Sequence, residues 1–74
     1  MKTVYIQTNR VYAEQRPTTQ DDNEGGLIDK WDIYLVKDDQ SSKVGKLVRY
    51  SHGRYAFFIN TLRFSIQAHQ VTFQ

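Results

Sequence analysis

The chain has 74 residues, no cysteine and a formal net charge of +2. A length of this order supports one hydrophobic core and therefore one domain, 1–74, and the composition excludes disulfides and thiolate metal sites as sources of stability. No stretch approaches the roughly 20 apolar residues of a membrane-spanning helix, so we expect no membrane association. The lack of cysteine favours a reducing, cytoplasmic location.

Charged residues are segregated along the chain. Residues 1–39 contain five Lys or Arg against all eight carboxylates, a net charge of −3, whereas residues 40–74 contain five Lys or Arg and no acid, a net charge of +5. A basic second half favours an anionic partner. The alternative is that the two halves are neighbours in the fold and offset each other across the surface.

Extended structure is predicted for Thr3–Ala13, either as one long strand or as a tight hairpin that turns at 8–10, because apolar and polar residues alternate there. Residues 15–29 are then polar and contain the only proline and the pair Gly25-Gly26, residue types that favour turns and exposed backbone. We predict a long mobile loop in this range. Loops of this length in small domains are typically functional or disordered.

The clearest single strand is Trp31–Lys37, in which positions 31, 33 and 35 are apolar and lie on one face. A solvated turn is predicted at Asp38–Ser42. Val44–Asn60 follows as a hairpin, with His52-Gly53 as a two-residue loop of type I′.

This hairpin loop determines a register. It places Tyr50 opposite Tyr55 and Val48 opposite Phe57, on one apolar face. Arg49 and Arg54 then lie on the opposite, polar face. Cross-strand pairs of this kind specify the register, because a slip of one residue would exchange the two faces.

The last segment, Thr61–Gln74, fits two patterns. Leu62, Phe64 and Ile66 alternate as in a strand, whereas the spacing of Leu62, Ile66 and His69 is also that of a helical stripe. The content of Phe, Ile, Val and Thr favours extended structure.

A mostly β domain is the predicted fold, a small antiparallel sheet or SH3-like barrel of four to five strands. The alternative is an antiparallel meander with a short C-terminal helix. The order of strands and loops resembles the small SH3-like barrels, with a long loop after the first strand and a tight hairpin later. The Ala-Leu-Tyr-Asp-Tyr run and the Trp pair of peptide-binding SH3 domains are absent from the sequence, so the resemblance does not imply a proline-rich ligand.

No combination of residues in the sequence indicates catalysis. Serine lies outside any Gly-x-Ser-x-Gly context, and Asp21-Asp22 is an adjacent acid pair in a polar segment rather than on facing rigid elements. His52 and His69 lack the spacing of metal ligands. We therefore expect a protein that is not an enzyme and that has no catalytic residue, no metal site and no cofactor.

Protein–protein interaction is the first functional hypothesis, because a small sheet leaves edge strands that pair with other chains. Tyr, Trp and Arg are also enriched at interface hot spots. A homodimer, in which two copies bury the exposed apolar surface of the sheet between them, is an alternative to binding of a different partner. The candidate contact residues are Arg49, Arg54, Tyr34, Phe58, Asp21, Asp22 and Glu24.

Binding of single-stranded DNA or RNA by the basic C-terminal half is the second hypothesis. Its cations alternate along the chain with aromatic residues, as in proteins that hold phosphates and stack bases. Against it, the predicted register separates the arginines from Tyr50, Tyr55 and Phe57. The candidate residues are Lys43, Lys46, Arg49, Arg54 and Arg63.

Two short segments, Gly45–Arg49 and Tyr55–Phe58, resemble small accessory proteins of temperate bacteriophages and prophages. The resemblance covers little of the chain and names no family. It implies a small protein that binds and modulates a larger host protein.

Overall fold

Short runs of alternating apolar residues, separated by two- and three-residue turns, divide the chain into strands. The computed structural model describes residues 1–74, without the side chain of Glu24. The described residues form one antiparallel sheet with the order β6-β5-β4-β3-β2-β1-β7, which curls into a half-barrel. The elements are β1 (Lys2–Ile6), β2 (Asn9–Arg16), helix α1 (Gln20–Glu24), β3 (Leu27–Lys37), β4 (Gln40–Tyr50), β5 (Tyr55–Ile59), β6 (Leu62–Ile66), a 3₁₀ turn (Ala68–Gln70) and β7 (Val71–Phe73).

Three two-residue turns lie at one end of this half-barrel. They are Gln7-Thr8, Asp38-Asp39 and Asn60-Thr61, and they share an end because β1, β3 and β5 run in the same direction. The backbone has positive φ at Gln7, at both aspartates and at Asn60. Asp and Asn tolerate this left-handed conformation better than most residues, which suits them to tight hairpins. We call this end of the half-barrel the open end.

The concave face of the sheet carries the core. Val4, Ile33 and Leu47 are fully buried there, and side chains from β1 to β6 complete the cluster. The parity of the strand pairs places every member on the same face, since Trp31 lies opposite Leu47 and Leu47 opposite Phe57. This main cluster is therefore a single layer, which the sheet wraps around.

Aromatic rings fill the other end of the half-barrel, which we call the closed end. The ring centroids of Trp31 and Phe73 are 4.8 Å apart, and those of Trp31 and Tyr55 are 6.2 Å apart. An ion pair lies on the same face of the sheet as these rings, in which Arg49 Nε donates to Asp29 Oδ2 at 2.9 Å. Aromatic area and a half-buried ion pair thus contribute stability in a chain that has no cysteine for a disulfide.

The mostly β prediction is confirmed, but four to five strands are too few and the alternative of a short C-terminal helix is wrong. Leu62–Ile66 forms β6 and Val71–Phe73 forms β7, with only a single 3₁₀ turn between them. Backbone pairing decides this. β6 pairs with β5, β7 pairs with β1, and the Gln7 N–H donates to the Gln70 carbonyl at 2.6 Å.

The polar segment is shorter than the predicted loop at 15–29. Gln15 and Arg16 belong to β2, and Leu27–Asp29 belongs to β3. Between them, α1 is stabilised by a capping box, in which the Asp22 N–H donates to Thr19 Oγ1 at 3.4 Å and the Thr19 N–H donates to Asp22 Oδ2 at 2.8 Å. Such reciprocal bonds satisfy backbone donors that the first turn of a helix leaves unpaired.

The register of the β4–β5 hairpin differs from the predicted one by one residue. The loop contains three residues, Ser51, His52 and Gly53, and the Tyr50 N–H donates to the Arg54 carbonyl at 2.9 Å. Gly53 has a φ of 92° whereas His52 has no positive φ. A type I turn followed by a left-handed glycine fits these values, so the type I′ assignment is wrong.

This shift changes the faces of the hairpin. Arg49 lies opposite Tyr55, and Leu47 lies opposite Phe57, so these four side chains share the concave face. Val48 and Ala56 lie opposite each other on the convex face, where both are buried. The prediction that Arg49 and Tyr55 lie on different faces is therefore wrong.

No helix among the described residues is long and apolar enough to cross a membrane.

Candidate functional site

A cleft of about 420 Å³ lies in the concave face at the open end of the half-barrel. Its volume falls within the roughly 300–1,000 Å³ of typical ligand sites. Side chains from β1, β2, β3, β4, β5 and β6 and from the first turn form its walls: Ile6, Gln7, Asn9, Arg10, Val11, Leu35, Val44, Phe57, Ile59, Phe64 and Ile66.

The cleft exists because the strands separate at this end. β2 pairs with β3 only as far as Tyr12 and Tyr34, and β5 pairs with β4 only as far as Phe58 and Lys46. The tip of the β3–β4 hairpin therefore extends beyond its neighbours β2 and β5. The molecule is accordingly elongated and measures 39 × 24 × 24 Å. A bulge at Val44 marks the start of this extension. Bulges bend the strand that carries them.

Large apolar side chains are exposed around the cleft. The exposed fractions are 59% for Leu62, 50% for Leu35, 45% for Phe64 and 36% for Ile59. Leu62 lies two residues from Phe64 on the same face of β6, next to the cleft. A contiguous apolar surface of this kind typically marks an interaction site.

β6 also forms one edge of the sheet. It pairs with β5 on one side, and no described strand pairs with its other side. The two-residue turn Asn60-Thr61 joins Ile59 and Leu62, which form a hydrogen-bonded pair. In an antiparallel ladder, hydrogen-bonded and non-hydrogen-bonded pairs alternate. The backbone N–H and C=O groups of Arg63 and Ser65 therefore point away from β5. This edge therefore offers backbone donors and acceptors to a further strand.

Two ion pairs between described residues of β3 and β4, Asp32–Lys43 and Asp29–Arg49, join the acidic and basic halves of the chain. Asp32 accepts from Arg16 Nε at 2.6 Å and lies 3.1 Å from Lys43 Nζ. Asp29 pairs with Arg49. The bonds from Arg16 and Lys43 lower the pKa of Asp32, and the bond to Asp29 raises the pKa of Arg49. These contacts support the interpretation that the two halves offset each other.

The residues predicted for protein binding are dispersed in the fold. Arg49 is held by Asp29 at the closed end, and Arg54 is exposed beside the β4–β5 turn, at the same end. Tyr34 is half-buried on the convex face, opposite Tyr12. The structure brings none of these described residues into the cleft.

The predicted acidic contacts belong to α1. Asp21 is exposed, whereas Asp22 caps the helix and accepts from Lys30 Nζ at 2.9 Å. The side chain of Glu24 lies outside the described residues. Asp22 therefore has a structural role, which leaves Asp21 as the described acid that is open to a partner.

Two of the residues predicted for nucleic-acid binding do come together. Lys46, Phe58 and Arg63 lie side by side on the convex face, with Lys46 Nζ 5.0 Å and the Arg63 guanidinium carbon 6.0 Å from the centroid of the Phe58 ring. Lys43 and Arg49 are instead held by carboxylates. Phe58, predicted for protein binding, thus lies between two cations.

Four residues at the mouth of the cleft are not among those predicted from the sequence: Leu35, Ile59, Leu62 and Phe64. One signal could have found part of this set. Asn60-Thr61 is a turn between two alternating apolar runs, which indicates a hairpin whose second strand carries Leu62 and Phe64 on one face.

The capping box predicts how stability depends on pH. The Thr19 N–H and then the Lys30 ammonium lower the pKa of Asp22 from 3.8 to about 2. Because the folded pKa lies below the unfolded one, this stabilisation is present above about pH 4 and is lost as the pH falls towards 2. We expect Asp22→Asn to lower the melting temperature at pH 6 and to converge with the wild type near pH 2, as followed by circular dichroism. Asp21→Asn is the control, and an equal effect of both variants at pH 6 would contradict the assignment.

Known proteins offer no further guide to the site. Comparison with models of protein families, with curated proteins and with solved structures finds no match to this chain. Within the part of the chain that the structure describes, no three His, Asp or Glu side chains are close enough to hold a metal ion. The geometry of the open end is therefore the basis for a functional proposal.

Proposed function

We propose that this chain is a non-enzymatic binding domain that holds another protein at the open end of its half-barrel. The exposure of Leu35, Ile59, Leu62 and Phe64 around the cleft carries this proposal. These side chains lie on the concave face, where their neighbours in the same strands are buried in the core. A partner would extend that core.

The energetics of the open end favour binding. Complete burial of one Leu, Ile or Phe side chain stabilises by about 1.5–3 kcal/mol relative to exposure. The four side chains at the cleft are each between about one third and more than one half exposed. Because they are grouped at one place, their burial by a partner can drive association. The edge of β6 beside them adds backbone hydrogen bonds.

Binding of single-stranded nucleic acid is the second candidate function. The row of Lys46, Phe58 and Arg63 supports it, because an aromatic ring flanked by cations can stack a base and hold its phosphate. The ion pairs of Lys43 and Arg49 weaken it, since both cations are already neutralised by carboxylates.

The wider assignments belong to the same proposal. A small binding protein suits an accessory role of the bacteriophage type, in which it modulates a larger host protein, and a chain without cysteine suits the cytoplasm. We also regard the half-barrel as an enlarged variant of an SH3-like barrel. The longer connection from β2 to β3 and the tight turn from β4 to β5 support this.

Two neighbouring residues provide a matched test. Leu35 lines the cleft, whereas Val36 lies on the opposite face of the same strand and is similarly exposed, at 44%. The tagged protein captures a partner from a nuclease-treated bacterial lysate, and its affinity is then measured with purified components. We expect Leu35→Ser to weaken binding at least about tenfold and Val36→Ser to leave it unchanged.

Three other outcomes would change the proposed contact surface or the proposed ligand. Equal binding by both variants would show that the cleft is not the contact. Capture that disappears on nuclease treatment and that depends on Lys46 and Arg63 would support nucleic-acid binding instead. A concentration-dependent dimer that Leu35→Ser abolishes would identify a second copy as the occupant.

A further inference from the structure

The faces of β6 determine what a strand added at its edge would meet. Leu62 and Phe64 lie on the concave face, next to the cleft. Arg63 and Ser65 lie on the convex face, where Arg63 Nη1 donates to Ser65 Oγ at 3.0 Å. Since side chains alternate between the faces of a strand, an added strand would place every second side chain against the apolar surface and the others beside Arg63.

The convex side of this edge is basic. Arg63 continues the cross-strand row that contains Phe58 and Lys46, and neither cation forms an ion pair with a described carboxylate. Residues 40–74 contain no acid at all. The next position of this row is Asp32, which lies opposite Lys46 on β3, three strands from Arg63, and is held by Arg16 and Lys43.

The geometry points to an extended segment of a partner protein, with alternating apolar and acidic residues, as the ligand of the β6 edge. Its apolar side chains would cover Leu62 and Phe64, and an acidic side chain would lie opposite Arg63. Its backbone would bond to the N–H and C=O of Arg63 and Ser65. This inference rests on the proposed function and specifies the partner for the same site.

A second copy of this chain is a poorer occupant. When two β6 strands pair antiparallel about Phe64, Arg63 lies opposite Ser65 of the other copy, and a register shift of two residues, to a pairing about Arg63, brings two arginines together. Neither β6 nor β7 contains a carboxylate that could complement Arg63. Charge therefore favours a different chain over self-association.

Synthetic peptides test this inference without knowledge of the natural partner. The probe is an acetylated and amidated octapeptide in which valine alternates with aspartate, and its counterpart has lysine in place of aspartate. Binding is followed by the amide signals of the ¹⁵N-labelled protein. We expect the aspartate peptide to bind about tenfold more tightly than the lysine peptide, with the largest shifts at Leu62–Ile66.

Ser65 separates edge pairing from nonspecific attraction. Its N–H faces away from β5, so Ser65→Pro removes a donor from the edge and leaves the β5–β6 ladder intact. Ser65→Ala is the matched control, because it removes the hydroxyl and keeps the N–H. We expect the aspartate peptide to bind Ser65→Ala like the wild type and to bind Ser65→Pro about tenfold more weakly.

Arg63→Glu is a second variant that does not depend on the fold of the proline variant. It should reverse the preference, so that the lysine peptide binds more tightly. Equal binding of both peptides to the wild type, or binding by neither at millimolar concentration, would overturn the inference. A loss of partner capture in Leu35→Ser would still support the proposed function in that case, so the two failures are distinguishable.

Discussion

Replacement of Trp31 by alanine is expected to remove a large part of the free energy of unfolding of the domain. Trp31 is 8% exposed and packs against Tyr55 and Phe73, so its removal empties the closed end of the half-barrel. Truncation of a buried tryptophan costs about 3–5 kcal/mol. A domain of this length has a total stability of about 4–11 kcal/mol at the usual 0.05–0.15 kcal/mol per residue, so the loss is of the same order.

Circular dichroism and the dispersion of proton NMR signals would measure this effect. Trp31→Phe is the matched control, because it keeps an aromatic ring between Tyr55 and Phe73, and we expect it to remain folded with a lower melting temperature. Cooperative unfolding of Trp31→Ala near the temperature of the wild type would show that the aromatic cluster is not the main source of stability.

The second large effect is expected at Gly45. A Cβ atom at this position would lie 2.1 Å from the Phe58 carbonyl oxygen, far inside van der Waals contact, and that oxygen belongs to the backbone. Relief requires β4 and β5 to move apart. We expect Gly45→Ala to destabilise the protein by about 2–3 kcal/mol, and so to lower the melting temperature by about 10–20 °C.

Gly25→Ala is the control for this substitution. Its Cβ would meet only the Asp22 carbonyl oxygen at 3.6 Å, an ordinary contact, and its φ of −84° suits any residue. We expect a change within about 0.5 kcal/mol. A melting temperature of Gly45→Ala equal to that of the wild type would contradict the close approach of β4 to β5.

Gly45 also connects the fold with the proposed site. Its Cα faces the backbone of β5 so closely that no Cβ fits there, and the pairing of these strands ends at its neighbour Lys46. Beyond it, Val44 and Ile59 separate and become walls of the cleft. The same residue therefore permits tight packing in the core and the divergence of strands at the open end.

Features of short range could be predicted from the sequence. The predicted strand Trp31–Lys37 lies within β3, and Asp38-Asp39 forms a turn, because alternation and turn propensity act between neighbours in the chain. The segregation of charge is also a property of the sequence alone. The cysteine content, the length and the number of aromatic residues are likewise read directly from the sequence.

The candidate site depended on tertiary structure. Ile33 and Leu35 are similar residues on one face of one strand, yet Ile33 is buried and Leu35 is half exposed. Both β2 and β4 pair with β3 at Ile33, whereas β2 no longer pairs with β3 at Leu35 and only β4 continues there. Phe57 and Phe64 lie opposite each other, yet Phe57 is buried and Phe64 is exposed. Composition and periodicity cannot distinguish such pairs.

The register and the edge of the sheet were likewise decided at long range. A β4–β5 loop of three residues instead of two places Arg49 on the same face as Tyr55. The register of β3 with β4 places Arg49 next to Asp29, twenty positions earlier in the chain. The sequence by itself determined that this protein is a small β domain with one acidic and one basic half. Only the tertiary structure decided that the halves pair across β3 and β4 and that β6 remains an edge, since strand pairing and burial depend on residues that are distant in the chain.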